Sequence, residues 1–551
     1  MERQGRKGMD RRQSLKALMA GGAALLSPIR LTHAQGAIES GKPLPPILLE
    51  SYPDQMSVEV ARLYARELAE IGIQTNHKPL GFAQILGQVY GRKEFTTALM
   101  GFGSPEERLD PDYYLRSVYA TDSSFNFTGY SNTEFDRLCK LQQEETDWKK
   151  REEAIFQAQR VWAQDVPSWH VCSRAAINPV NKRLFRNFKP SRALGLEVYH
   201  VAPYLVLEPV GTQREVNVAS TFRMSSAHIF TERSANGRGY LRFLYDSFLR
   251  FDGDLKLVPW AAESYAAAGP LAYDLRLRPG MKWHDGRPVT IEDAKFTIDY
   301  ALKWKPPVWA PFMSPIKGAD IVNPSTLRIH LNARSATFLP LSMTQIVLLP
   351  KHIWENVPEK AGVKDPMEWD APSQGGMIGS GPFRFGSFQK DVDCYFRANR
   401  EHFSGGPKID GIHYIQASSV EQIVGGMETG SIHIVGDGLT RPDGERLAKQ
   451  KDIELLVTDT GTVVSFWLDV RRPLFQDRAM RLAMYHALPK KKILDIVLGG
   501  AGSVARRSPI PPVHESWIPK EIPGDEYDLG RARKLLAEAG YKTSGGRLVM
   551  K

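Results

Sequence analysis

The sequence predicts an α/β fold on three observations. An apolar run at residues 47–50 is followed by a helical pattern at 57–71 and a second strand at 73–77. A buried strand at 95–103 leads into a helix-rich stretch from 133 to 165, and after Pro209 the alternation restarts with a strand at 215–219. Such alternation favours sheets covered by helices, with ligands at the ends of strands.

Each element carries its own signature. Residues 35–46, rich in Gly, Ser and Pro, read as a leader into the first strand. In the first helix Val58, Val60, Leu63, Ala65 and Leu68 recur at mixed three and four spacing, Glu67 and Glu70 fall outside, and Gly72 stands where a left-handed cap belongs. The strand at 95–103 stops at Gly-Phe-Gly, a glycine-rich edge, and a further helix is expected near 239–251. A denser β region follows, where residues 273–277 and 327–331 alternate and Arg278-Pro279-Gly280 and Asp285-Gly286 signal turns. Residues 528–540 form a capped helix, with Asp528 at the start, Ala532, Leu535, Leu536 and Ala539 inside, and Gly540 at the stop.

Composition narrows the function classes. With 551 residues, 42% apolar and 24% charged, the chain is globular material enough for several domains. Seven basic and two acidic residues among the first 34 supply half of the net charge of +10. The remainder has no Lys/Arg-rich run and no nucleic-acid module, which sets nucleic acid aside as a partner. Cys139, Cys172 and Cys394 are far apart and odd in number, so they allow at most one bridge and no zinc-like spacing, and read as buried small hydrophobes.

Residues 1–34 read as a removable signal peptide: a basic start, an apolar stretch at 17–26, and the small residue Ala34 before Gln35. The stretch falls short of the roughly 20 apolar residues that span a membrane. Arg11-Arg12 followed by Ser-Leu-Lys resembles a twin-arginine signal more than an ordinary secretory one. A soluble periplasmic protein without a membrane anchor is therefore expected.

Enzymatic chemistry finds no support. No two of the thirteen histidines stand four apart, and no nucleophile elbow, phosphate loop or dinucleotide fingerprint occurs; Gly379-Ser380-Gly381-Pro382 has the wrong spacing for any of them. Asp110 and Asp112 flank Pro111 and read as a turn or helix-start device rather than an acid/base pair. No metal or cofactor is expected. The aromatics are abundant, with 11 Trp, 19 Tyr and 24 Phe. Most belong to cores, but Phe102, Trp467 and Trp517 are placed to line a cleft that stacks on an organic solute.

Specific strings carry a resemblance. Residues 244–251 with 258–265, the run Leu277-Arg278-Pro279-Gly280-Met281-Lys282-Trp283-His284-Asp285-Gly286, and Glu292-Asp293-Ala294 resemble the opening third of the family 5 extracellular solute-binding proteins, the peptide and nickel receptors of ABC importers. Gly379-Ser380-Gly381-Pro382-Phe383, Phe403-Ser404-Gly405-Gly406-Pro407, Glu428-Thr429-Gly430-Ser431-Ile432, and the stretches 478–487 and 532–541 are similar to that family's later landmarks. Pieces that close the family's order open this chain: Gly41-Lys42-Pro43, residues 67–73, Asp110-Pro111-Asp112, and Gly129-Tyr130-Ser131-Asn132 running to Phe135-Asp136.

The order therefore reads as a circular permutation, with the family's own ends fused near residues 204–213. Joining residue 551 to Gly41 restores a hairpin with residues 47–50 as its return strand. A fusion of two truncated copies, or a non-functional rearranged product, stays open beside it. The resemblance implies a type II two-lobed periplasmic binding fold with an extra β-rich subdomain. The expected divisions are 1–34 signal peptide, 35–185 lobe II, 186–253 lobe I with the fused termini, 254–376 the extra subdomain, 377–470 lobe I again and 471–551 the first part of lobe II.

By the same resemblance the function is capture of a small organic solute between the lobes and delivery to the transmembrane subunits of an ABC permease, by a monomer; an exported enzyme using the same cleft is the alternative. The candidate ligand-binding residues are Phe102, Asp110, Tyr113, Ser225, Ser226, Gly379, Ser380, Asp437, Trp467 and Trp517. Peptide receptors of the family present an aspartate after the strand matching residues 98–101, where this chain has Phe102-Gly103-Ser104. A stacked sugar, aromatic acid or opine-like solute is expected there rather than a peptide held by its amino end, unless Asp110 reaches in.

Overall fold

A computed structural model describes residues 40–550 apart from 104, 198–199, 222–223, 225 and 233; the expected signal peptide and the candidate Ser225 lie outside the described residues. β1 (Ile47–Ser51) is an apolar, largely buried strand. In α1 (Gln55–Glu70) the Asp54 carboxylate accepts the Ser57 N–H at the start, and Gly72, at φ +83°, turns the chain after its end. Glu67, expected outside, is buried: its carboxylate accepts from Lys492 and Tyr527. β2 (Thr75–Pro79) and β3 (Thr97–Phe102) follow. Asn132 and Asp147 then cap α2 (Thr133–Glu144) and α3 (Trp148–Asp165), and β4 (Ser168–Asn181) runs for fourteen residues.

β5 (Glu215–Ser220) is followed by α4 (Ala235–Leu241), which is shorter than the helix expected near 239–251 and gives way to the strand β6 (Leu249–Phe251). The carbonyls of Phe243 and Leu244 accept from Phe383 and Gly381 instead of continuing a helix. β7 (Ala262–Ala267), β8 (Ala272–Leu277), β9 (Ile316–Asn323) and β10 (Thr326–Leu331) make a separate antiparallel sheet in the order β7-β8-β10-β9, and α5 (Ile291–Trp304), boxed by Thr290 and Asp293, packs on it. β11 (Phe383–Gln389), β12 (Asp393–Ala398), β13 (Gly411–Gln416), β14 (Ile434–Val435) and the sixteen-residue β15 (Ile453–Leu468) return to the main sheet. α6 (Leu529–Glu538), capped by Asp528, leads to a hairpin of β16 (Lys542–Ser544) and β17 (Arg547–Val549).

The main sheet has eleven strands, in the order β11-β12-β13-β5-β14-β4-β15-β3-β1-β2, with residues 502–504 added beside β4. Two parallel groups, β13-β5-β14 and β3-β1-β2, lie on either side of the antiparallel pair β4 and β15. Separate cores cover the two halves. Val180 of β4 belongs to a core shared with β5, β13 and the β7–β10 sheet, whereas Trp169, Val171 and Cys172 belong to one built from β1, α1 and residues 464–550. A third core joins Phe102, Trp162 and Trp467. This is the two-lobed α/β arrangement that the sequence predicts. Cys139, Cys172 and Cys394 are buried free thiols.

The two ends of the described chain meet. Gly41 N–H donates to the Met550 carbonyl at 3.0 Å, Leu44 N–H to that of Leu548 at 2.7 Å, and Pro43 bridges Val549. Leu44, Ile47, Leu548 and Met550 share one core, and a Cβ on Gly72 would stand 2.9 Å from the Leu548 nitrogen. The expected hairpin is corrected in one respect: β1 pairs in parallel with β2 and β3, and β17 takes β16 as its partner. β1 is buried like a central parallel strand, which suits the sheet interior better than a hairpin edge. Across an antiparallel bridge Cα atoms lie about 5 Å apart, within disulfide reach. Cysteines at Pro43 and Val549, with the three native cysteines replaced by alanine, are expected to form an intramolecular disulfide that raises the melting temperature; non-reducing electrophoresis showing only intermolecular bridges would contradict this docking.

Candidate functional site

The seam between the two halves is built from charge. After β3 the chain turns at Pro105 into a short 3₁₀ turn, Glu106–Arg108, whose two carboxylates are 3% and 6% exposed. Glu106 pairs with Arg242 and Glu107 with Arg238. The two arginines stand one turn apart at α4 and belong to the opposite half. Arg242 also donates to Gln345, and His200 lies 3.7 Å from Glu106. Burial pulls the Arg242 guanidinium down to about 10. Beside the ion pairs Leu109 packs with Leu194 and Phe251.

The floor of the seam lies at the carboxyl ends of β5, β13 and β14, where open α/β sheets place ligands. Ser220 and Gln416 end β5 and β13, and Asp437 stands two residues after β14. The Asp437 carboxylate accepts from Ser220 Oγ at 2.6 Å and from the Thr221 N–H at 3.2 Å, and burial raises its pKa. Burial, with Asp437 beside it, pushes Glu197 up to about 8. Tyr240 and Tyr414 lie ring against ring at 4.0 Å there, and Gln416 Nε2 is buried with no hydrogen-bond partner among the described residues.

On the other side an aromatic group surrounds Trp467. Its ring meets Phe102 edge to face at 5.7 Å, Phe127 at 4.7 Å and Tyr119 at 6.1 Å, and its Nε1 has no acceptor among the described residues. Phe102, Tyr114, Tyr119, His170, Val463 and Trp467 line a small cavity with room for about one water. His170 sits between Tyr119 Oη at 3.2 Å and Ser465 Oγ at 2.6 Å, and burial lowers its pKa to about 3.

Of the sequence candidates, Phe102, Tyr113 and Trp467 are brought together, and Asp437 lies at the strand ends. The face of Phe102 is not open for a solute: the Arg108 guanidinium covers it at 3.9 Å and lies 4.9 Å from Tyr113. Asp110 does not reach into the seam as a free carboxylate. It is buried in an ion pair with Arg151 at 2.6 Å and accepts the Asp112 N–H at 2.9 Å, the turn device that the sequence favours. Trp517 packs on exposed Trp148 at 4.5 Å instead of on Phe102. Ser226 braces a turn, its N–H donating to Glu232. Gly379 and Ser380 form a backbone crossing: a Cβ on Gly379 would sit 1.8 Å from the Leu244 carbonyl oxygen, and Ser380 is 2% exposed. Sequence reasoning missed Glu106, Glu107, Arg238 and Arg242; the Pro-Glu-Glu-Arg run behind Gly-Phe-Gly was the available signal.

Residues 256–550 match the middle part of the bacterial extracellular solute-binding proteins, family 5. The chain belongs to this family. Among curated family 5 relatives, the oligopeptide-binding protein AppA of Bacillus subtilis is 29% identical over 309 residues, 55% of each chain, and heme-binding protein A of Haemophilus influenzae is 26% identical over 321 residues, 54% of this chain and 56% of its own. The chain thus spans about half the length of the curated relatives it matches. Among solved family 5 structures, NikZ of Campylobacter jejuni with Ni(L-His) has a TM-score of 0.50 at 21% identity, over 61% of this chain and 65% of its own, a likeness of fold.

Glu197 yields a pH test. Its carboxyl keeps its proton in the folded chain up to about pH 8 but loses it near 4.5 when exposed. Between these values the folded state holds more protons, so stability falls as pH rises, by at most about 1.4 kcal/mol per pH unit. Glu197→Gln is expected to remove that loss, so urea midpoints of variant and wild type diverge as pH rises through this window; parallel pH profiles would contradict it.

Proposed function

We propose that this family 5 chain is the solute receptor of an ABC importer, closing its two halves over a small organic solute and presenting the closed form to the transmembrane subunits of a permease. The observation that carries this reading is the shared pair of long strands: β4 and β15 run from one core to the other, and their ladder is interrupted between Asp459 and Val463. A ladder that breaks at its middle is a natural place for hinge bending, and solute bound in the closed form shifts the population toward it.

The protein works in the periplasm as a monomer, reached through a twin-arginine signal, and releases its solute chemically unchanged. Its order is a circular permutation of the family's: residues 41–185 complete the half that residues 471–551 begin, supported by the meeting of Gly41–Leu44 with Leu548–Met550. Residues 186–253 and 377–470 make the other half, with 254–376 as its extra subdomain.

Thermal unfolding with pooled di- and tripeptides, hemin or nickel–histidine covers the ligands named for relatives: oligopeptides, heme and Ni(L-His). A solute at about a hundredfold its Kd is expected to add about 2.7 kcal/mol of stability and to be recovered intact by mass spectrometry. Conversion of the solute would point to the enzyme alternative.

A further inference from the structure

The two ion pairs of the seam are costly by themselves. Taking a guanidinium and a carboxylate out of water costs several kcal/mol per ion, and apolar side chains of the same size would hold a permanent interface as well or better. Here each pair joins groups from opposite halves, so opening the cleft returns all four to water. Charge suits partner exchange: a guanidinium grips any carboxylate by the same bidentate geometry, whether it belongs to the chain or to a solute.

The surroundings favour an incoming anion. Arg108 Nε and Arg250 Nε and Nη1 are buried without an acceptor among the described residues, and Arg250 lies over Trp260 at 3.3 Å. The acids nearest Arg250 are engaged elsewhere: Asp246 accepts from Trp260 Nε1 at 2.8 Å and faces His402 at 3.2 Å, and Asp252 accepts the backbone N–H groups of Asp254 and Lys256. His200, a further titratable neighbour of Glu106, is held between Ser191 and the Phe251 carbonyl.

We propose that Arg238 and Arg242 are the solute-reading pair of this cleft, that the solute is an organic acid whose carboxylate takes the place of Glu106 on Arg242, and that Glu106 and Glu107 occupy the arginines until it arrives. This rests on the receptor reading and names its substrate class. The internal carboxylates then act as competitors: the solute binds with its intrinsic affinity reduced by the fraction of molecules in which they hold the site.

The test is differential scanning fluorimetry of the full chain, wild type, Glu106→Gln and Arg242→Lys, with indole-3-acetate, benzoate and succinate beside indole-3-acetamide, benzamide and succinamide. At least one acid is expected to raise the melting temperature where its amide does not, with an apparent affinity about tenfold higher in Glu106→Gln, a gain of about 1.4 kcal/mol, and with the response lost in Arg242→Lys, which keeps the charge but not the fork. Glu106→Gln is nearly isosteric, so it reads the site even if Arg242→Lys fails to fold. Acids and amides acting alike on Glu106→Gln, including neither acting, would overturn the proposal. A neutral solute that stabilises the wild type would overturn it too, while leaving the receptor reading in place.

Discussion

The antiparallel pairing of β4 with β15 is the constraint on which the rest depends. Fourteen and sixteen residues long, they are the strands through which both parallel groups of the sheet are joined. Because each strand carries side chains of one core at one end and of another core at the other, the halves cannot separate without bending this ladder. Its break between Asp459 and Val463 falls where Thr460 Oγ1 donates to the Arg174 carbonyl and Ala193 bridges Thr460. Leu194, which packs with Leu109 from one side of the seam and Phe251 from the other, follows Ala193 at the same point.

From that ladder the position of the charges follows. β3 pairs with β15 and delivers Glu106 and Glu107 just past its end, whereas β5, β13 and β14 deliver Ser220, Gln416 and Asp437 at theirs. The seam is thus polar at the ends of β5, β13 and β14, ionic between Glu106–Glu107 and Arg238–Arg242, and aromatic around Trp467. A surface of this kind is a poor permanent interface and a good reversible one, since its apolar contact is confined to a small cluster such as Leu109 with Phe251.

The fold was legible in the sequence to the extent that local signals decide it. Asp54, Asn132, Asp147 and Asp528 cap helices where polar residues precede apolar periodicity, and β3 is buried as its apolar run implies. The helix expected through Phe251 failed because the Phe243 and Leu244 carbonyls are claimed by Gly381 and Phe383, more than a hundred residues away, which no local pattern reports. The site was less legible. Aromatic residues at a strand end pointed to Phe102, but its face is covered by Arg108, six residues on. Asp110 reads as a turn device, which it is, but the buried ion pair with Arg151, 41 residues on in α3, has no local signal. Glu106 and Arg242, 136 residues apart, look like ordinary surface charges until the two halves meet.

The most direct measurement of the account is the distance between the halves. Spin labels at Phe82 and Val392, which are 65% and 44% exposed on opposite halves, can be placed in a chain whose native cysteines are replaced by alanine, and read by pulsed electron paramagnetic resonance. Without solute the wild type is expected to show one dominant distance, and a second, distinct one once Glu106→Gln and Glu107→Gln remove the ionic contacts across the seam. One unchanged distance in both proteins would contradict it, because the halves would then be a fixed body and the seam no cleft.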